Sequence, residues 1–255
     1  METGVIFGFL ETINNLSKKF SINKFIFCWD SKKSKRREIY PEYKANRNVD
    51  KTETEHIEDN IAFKQFHDLR VSILPKLGFK NIFIQTGYES DDLIAILVKH
   101  ALKDAIVVTT DDDLLQLLDC CEIYNPRTKQ LITSGIFESK YGIHPSMWPH
   151  IKSLAGCTSD NIKGIEGVGI VKALIFVEGK LPSGKIRDRI LDSTGILKRN
   201  IPLIKLPLEG TVLPIIQEDE KFYIDNFIDV FEKYNFRSFL KKESFEQWCK
   251  LFRME

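Results

Sequence analysis

The stretch from Gly87 to Asp113, GYESDDLIAILVKHALKDAIVVTTDDD, constrains the fold more than any other part of the chain. Leu93, Ile94, Ile96, Leu97 and Leu102 recur at helical spacing, which predicts an amphipathic helix from Asp91 to about Leu102. Ser90 is the expected N-cap, and the acids of the first turn suit the positive end of the helix dipole. Ala105 to Thr110 is short, apolar and β-branched, as a buried parallel strand should be. Upstream, Asn81 to Gln85 is a second strand of this kind. Strand, helix and strand in this order predict a right-handed βαβ unit whose parallel strands end on one sheet edge.

That edge is acidic. Glu89, Asp91 and Asp92 follow the first strand, and Asp111 and Asp113 follow the second. Two carboxylates ~4 Å apart repel by roughly 4 kcal/mol at an effective dielectric near 20, so such a group needs cations. Oxygen donors without histidine or thiolate point to a hard divalent ion, Mg²⁺ or Mn²⁺, rather than zinc. Acidic caps and acidic loop ends are ordinary structural features when met singly. Two such clusters on the edge where open α/β proteins bind ligands favour a site. A third strand, Lys24 to Trp29, also ends in an acid, Asp30, which is expected to join the group.

Basic residues gather in a different stretch. From Ser31 to Arg47 the chain carries Lys32, Lys33, Lys35, Arg36, Arg37, Lys44 and Arg47, interleaved with Tyr40 and Tyr43. The bland reading is a solvated loop. A basic run that leaves directly from a carboxylate site instead reads as a wall for a polyanion. Residues 48–77 carry Ile57, Ile61, Phe66, Leu69, Ile73 and Leu74 at helical spacing, which predicts one long helix ending near Pro75 or just beyond. Residues 31–77 would then form a basic arch. The net charge of +1 hides this segregation. A 43% apolar content supports a sizeable core, and no run approaches the roughly 20 apolar residues of a membrane span. Five cysteines without a C-x-x-C pair suit a reducing cytosol rather than a disulfide framework.

Further along, Leu114–Leu118 reads as a short helix and Glu122–Tyr124 as an edge strand, followed by a turn at 125–128. A helix ends at Gly142 and the next starts at His144-Pro145. Residues 151–177 read as helix, glycine-rich hairpin and helix, with Asp160 just before the hairpin and in reach of the metal site. Gly164, Gly167 and Gly169 permit tight turns, and Gly169 precedes a helix N-terminus whose free N–H groups suit a phosphate. No strand precedes them and G-x-G-x-x-G is incomplete, so a dinucleotide fingerprint fails. Glycine hairpins also serve as plain helix connectors. A helix–hairpin–helix that grips duplex backbone, with Lys163 and Lys172 beside the glycines, fits better. Residues 181–218 read as irregular, with Leu203–Leu208 as a packed connector. Residues 221–252 read as helices whose Phe residues and Trp248 form core.

These motifs resemble the 5′ nucleases, meaning bacteriophage flap endonucleases and the 5′-nuclease domain of bacterial DNA polymerase I. The resemblance covers most of residues 1–180. It rests on Thr3-Gly4 with Gly8; on Trp29-Asp30 with Arg37 and the PEYKANR run at 41–47; on Gly87-x-Glu89-x-Asp91-Asp92; and on Thr110-Asp111-x-Asp113. It ends with Gly156-x-x-Ser159-Asp160-Asn161-Ile162-x-Gly164-Ile165-x-Gly167-Val168-Gly169. It implies an α/β fold of the PIN/5′-nuclease kind, a mostly parallel central sheet with helices on both faces, plus a helix–hairpin–helix subdomain. A nuclease core over 1–150 and a DNA-binding region with C-terminal helices over 151–255 are expected.

By this resemblance Asp30, Glu89, Asp91, Asp92, Asp111 and Asp113 bind one or two Mg²⁺ (or Mn²⁺) ions, and Asp160 completes the second position. Lys44 and Arg47 are similar to arch residues at the scissile phosphate, with Arg37 nearby. Lys32, Lys33, Lys35 and Arg36 join the hairpin as DNA contacts, and the hairpin is expected to hold K⁺. The implied reaction is two-metal hydrolysis of phosphodiesters at flaps or 5′ ends of DNA, or of RNA primers on DNA, by a monomer in a bacterial or phage-infected cytoplasm. Two departures stand out. Family members open with an apolar strand ending in aspartate before the Thr-Gly helix, whereas Met1 here lies directly before Glu2-Thr3-Gly4. Cys157 stands where the family pattern has a carboxylate. Both motivate an alternative, a catalytically impaired structure-specific DNA-binding protein of the same fold. A phosphatase using Asp111-x-Asp113 leaves the hairpin unexplained.

Overall fold

The computed structural model describes residues 3–48 and 51–255. The chain groups into two compact units, each drawn from separated stretches: Met1–Phe27 with Lys51–Phe83 and Ile215–Glu255, and Cys28–Asp50 with Ile84–Pro214. The basic arch expected over 31–77 takes in residues 49 and 50, which lie outside the described residues.

The first unit is helical. Its opening helix, Gly4–Phe20, buries Ile6, Leu10, Ile13 and Leu16, a single stripe at the helical period. The helix expected over 48–77 begins at Glu53, where Thr52 and Glu55 form a capping box. It runs to Asp68, passes through a π turn at Leu69–Ile73 and continues over Leu74–Leu77 to Gly78, whose φ of 108° ends it. Pro75 does not stop it, because proline sits in the first turn of the last segment, where the missing N–H is tolerated. Leu69, Ile73 and Leu74 are buried as their spacing predicts, whereas Ile57 and Phe66 are exposed. Helices Ile224–Lys233, Arg237–Leu240 and Lys242–Phe252 supply an aromatic core. Trp248 stacks on Phe252 at 5.4 Å and Phe7 on Phe239 at 4.7 Å, so these rings close the core as expected.

Strands are short. β1 (Phe27–Trp29) pairs with β2 (Ile82–Ile84), while β3 (Ile106–Val108), β4 (Glu122–Asn125) and β5 (Gln130–Ile132) form a second sheet in that order. The β3–β4 pair is parallel and the β4–β5 pair antiparallel, with Ile123 opposite Ile132. The fold is α/β, but β2 and β3 do not share one ladder among the described residues, because each has its partner elsewhere. β4 is not an edge strand either: the turn after Asn125 returns the chain as β5, whose three residues are too few to show a period.

Between β2 and β3 runs the helix Ser90–His100, which buries Leu93, Ala95, Leu97 and Val98. Its N-cap is Glu89 rather than Ser90. The Asp92 carboxylate accepts the Glu89 amide at 3.1 Å, which fixes the start of the helix one residue earlier than its sequence suggested. Helix Trp148–Ala155 leads into β6 (Gly156–Cys157), which pairs antiparallel with β7 (Ile162–Lys163), and helix Ile170–Val177 follows the glycine turn. The stretch expected to be irregular holds two helices, Lys185–Asp192 and Thr194–Ile204. Pro202 lies inside the second, and punctuation by proline and glycine concealed two short amphipathic periods. Leu206 and Leu208 beyond it are packed, as expected of the connector.

Candidate metal and phosphate site

All the predicted carboxylates and the basic residues of 32–47 belong to the second unit. Three backbone features deliver the first group of acids. Asp30 leaves the end of β1 and accepts the Ser90 amide at 2.7 Å, which ties the strand end to the helix N-terminus. Glu89 caps that helix and Asp91 stands in its first turn. Asp111 follows β3 and turns its Oδ1 to the Asp113 amide at 2.8 Å, capping the 3₁₀ turn Asp112–Leu117. These four carboxylates act on one another. The Asp91 carboxyl is pushed up to about 7 by burial first, then by the charges of Asp111, Asp30 and Glu89, against a smaller pull from Lys44. Among the described residues, Asp30, Asp91 and Asp111 have no ion-pair partner, whereas their neighbours do.

A second group lies around the β6–β7 turn. Asp113, Cys157 and Asp160 each offer a donor atom, and these atoms lie within 4.8 Å of one another. Lys152 places its Nζ 2.8 Å from Asp113 Oδ1, both side chains being 14% exposed. Burial raises the Asp113 carboxyl and Lys152 opposes that rise. Arg47 Nη2 donates to Asp160 Oδ1 at 2.7 Å, and Lys44 Nζ donates to Glu89 Oε1 at 2.8 Å. The Tyr43 hydroxyl bridges the two groups, 2.9 Å from Glu89 Oε2 and 3.2 Å from Asp160 Oδ2. Burial, then the charges of these two acids, drives the phenol pKa up, so it stays protonated and donates.

Two predicted residues have other work. Asp92 is fully buried and accepts from Arg36 Nη1 at 2.6 Å and Nη2 at 2.7 Å, from the Glu89 amide at 3.1 Å and from the Leu208 amide at 2.8 Å. Both its oxygens are taken up by these four donors within the fold. Arg36, 2% exposed, is its partner and is turned into the fold rather than to solvent. Sequence alone gives no sign of which acid of the Ser90-Asp91-Asp92 run turns inward.

The remaining basic residues are accessible. Lys32, Lys33 and Arg37 are exposed, and Arg37 Nε donates to the Tyr43 carbonyl at 3.1 Å. Lys35 is exposed too, with its Nζ donating to the Tyr88 hydroxyl at 2.8 Å. Lys163 is 73% exposed, and Lys172 is exposed while donating to the Gly167 carbonyl at 2.8 Å. In the hairpin a Cβ at Gly164 would collide with the Ala155 carbonyl and the Gly156 amide, and Gly167 has a φ of 79°. Gly169 is extended at φ −99° and serves as N-cap of the following helix. Sequence reasoning assigned no role to Tyr43 or Lys152. The signal for Lys152 was a lone cation inside the apolar run Ile151–Ala155.

The donor chemistry of the first group fits a hard divalent ion: oxygen ligands only, negative in sum, and strained by mutual repulsion that a cation relieves.

Comparison with known proteins bears on the family and the fold. The family described as 5′-3′ exonuclease, N-terminal resolvase-like domain, matches residues 1–142. A 5′-3′ exonuclease of Buchnera aphidicola (subspecies Schizaphis graminum) is 33% identical over 182 residues, which span 69% of this chain and 60% of that protein. A solved structure of the bacteriophage T5 5′-exonuclease with zinc ions bound superposes with a TM-score of 0.70 at 25% identity, covering 81% of this chain and 83% of that one. A bacteriophage T5 flap endonuclease, solved as a pseudo-enzyme–product complex with DNA and metal ions, gives 0.68 at 27% identity over 78% and 80% of the two chains. The family match over more than half of the chain, on the fold of these nucleases, places this chain in the 5′-3′ exonuclease family.

Proposed function

We propose that the chain is a metal-dependent 5′ nuclease, a 5′→3′ exonuclease and flap endonuclease that hydrolyses phosphodiesters in branched or 5′-ended DNA. The observation that carries this reading is the Asp30–Glu89–Asp91–Asp111 group at the ends of β1, β3 and the Ser90–His100 helix, where burial and then the charges of the other three acids push the Asp91 carboxyl up to about 7. Asp30, Asp91 and Asp111, without an ion pair among the described residues, are the ligands proposed for Mg²⁺ or Mn²⁺. Bound divalent ions supply an activated water nucleophile and neutralise charge on the leaving oxygen.

The chain's own residues do the rest. Lys44 and Arg47, paired with Glu89 and Asp160 in this state, are the donors placed to turn to a phosphate that enters the site. Tyr43 holds Glu89 and Asp160 at a fixed separation. Arg37, Lys32, Lys33 and Lys35 line the approach from the basic segment. Lys163, Lys172 and the free N–H groups after Gly169 hold duplex backbone without reading its sequence, and the same glycine turn is the place for K⁺. The similar bacteriophage T5 flap endonuclease was solved with DNA and metal ions, which supports a DNA substrate here; RNA primers on DNA, a monomeric state and a cytoplasmic setting belong to the same proposal. Among the described residues no helix is long and apolar enough to cross a membrane.

Asp111→Asn tests the reading. It is expected to abolish cleavage of a 5′ flap while leaving flap binding, measured in EDTA by anisotropy, within a few-fold of the parent. Full turnover by Asp111→Asn sinks the assignment.

A further inference from the structure

The two donor groups are not equivalent, and the difference lies in Cys157. Its backbone is fixed at the end of β6 by pairing with Ile162, and the residue is 7% exposed, packed with Tyr43, Ile162, Leu203 and Ile204. The thiol therefore holds its place beside Asp113 and Asp160, with all three donor atoms within 4.8 Å of one another. Each carboxylate of the group already faces an internal cation, Lys152 at 2.8 Å and Arg47 at 2.7 Å. With the thiol protonated, the group has no net negative charge to offer. A hard ion, held by charge and oxygen donors, gains little there. An ion with affinity for sulfur gains a metal–thiolate bond: the S–H bond breaks, the S–metal bond forms and the proton leaves to water.

We infer that Asp113, Cys157 and Asp160 form a position selective for a thiophilic divalent ion, Zn²⁺ or Cd²⁺, over Mg²⁺, beside an oxygen-only position at Asp30, Asp91 and Asp111. This rests on the metal-site reading above and adds to it that the site is chemically mixed, one hard position and one soft. Mg²⁺ alone then fills only the first.

The test uses the whole chain and reads ligation rather than turnover. Cd²⁺ is titrated in a saturating Mg²⁺ background and the sulfur-to-metal charge-transfer absorption is followed. A stoichiometric band is expected that is lost in Cys157→Ser and Cys157→Ala and kept in Cys120→Ser and Cys249→Ser, the other thiols being free. By calorimetry, Asp160→Asn is expected to weaken Cd²⁺ binding by roughly tenfold or more. No band, a band that survives Cys157→Ser, or a band that Mg²⁺ erases overturns the inference. Should the Cys157 variants fail to fold, X-ray absorption of the Cd²⁺-loaded parent decides: sulfur in the shell supports the position and an oxygen-only shell overturns it. Failure here is distinct from failure of the nuclease reading, because Mg²⁺-dependent flap cleavage and its loss in Asp111→Asn depend on the first group.

Discussion

Asp91→Asn is expected to stabilise the metal-free protein at alkaline pH. The Asp91 carboxyl stands at about 7 in the folded chain, against an ordinary value of 3.8. A carboxyl with a raised folded pKa keeps a proton that the unfolded chain has already released. Its contribution is therefore complete below about pH 4 and is lost as pH rises to about 7. Between pH 5 and pH 8 the loss covers about two pH units at 1.36 kcal/mol each, or about 3 kcal/mol. For a chain of this size that is roughly 6–12 °C in Tm. Asparagine keeps the shape and removes the titration, so its melting temperature should fall less over that pH range by this amount. Other groups that titrate there are common to both proteins and cancel in the difference. The assay is thermal melting in EDTA at pH 5, 6, 7 and 8, repeated at pH 8 with Mg²⁺. Mg²⁺ should restore stability to the parent and do little for Asp91→Asn. Parallel melting curves for the two proteins across pH would refute the argument that the acids strain one another.

Two further outcomes follow from the geometry. Asp92→Ala leaves the Arg36 guanidinium buried without its partner and is expected to cost about 3–5 kcal/mol of stability, read by urea unfolding, with Mg²⁺ affinity of the folded fraction unchanged. Weakened metal binding with unchanged stability would return Asp92 to the ligand set. Replacing Lys163 and Lys172 together by Gln should weaken duplex binding and lower the salt slope by about 2, the number of phosphate contacts removed, with no change in metal affinity. An unchanged slope would remove the hairpin from the DNA interface.

The parts of the site that sequence made legible are those where local order dictates placement. A short apolar strand followed at once by an acid puts that acid at a strand end, which located Asp30, Asp111 and Asp113 without tertiary information. The glycines were legible for a similar reason, since the Gly164 and Gly167 backbones tolerate no ordinary side chain. Orientation was not legible. Asp91 and Asp92 are adjacent and chemically alike, and the hundred-degree turn between them sends one to the site and the other to Arg36. Lys152 and Tyr43 were missed because their partners, Asp113, Glu89 and Asp160, are distant in sequence and meet them only in the folded unit. In the fold, β5 and the two helices over 185–204 escaped notice because each is short and bordered by turn residues, so its period had too few repeats to stand out.

The central claim is that this carboxylate group turns over phosphodiesters with divalent ions. The direct measurement is cleavage of a 5′-labelled flap duplex by the chain in Mg²⁺, in Mn²⁺ and in EDTA. Short labelled products in either metal and none in EDTA are predicted. Flap binding with no product in any metal would contradict the account and leave a structure-specific DNA-binding protein on a nuclease fold.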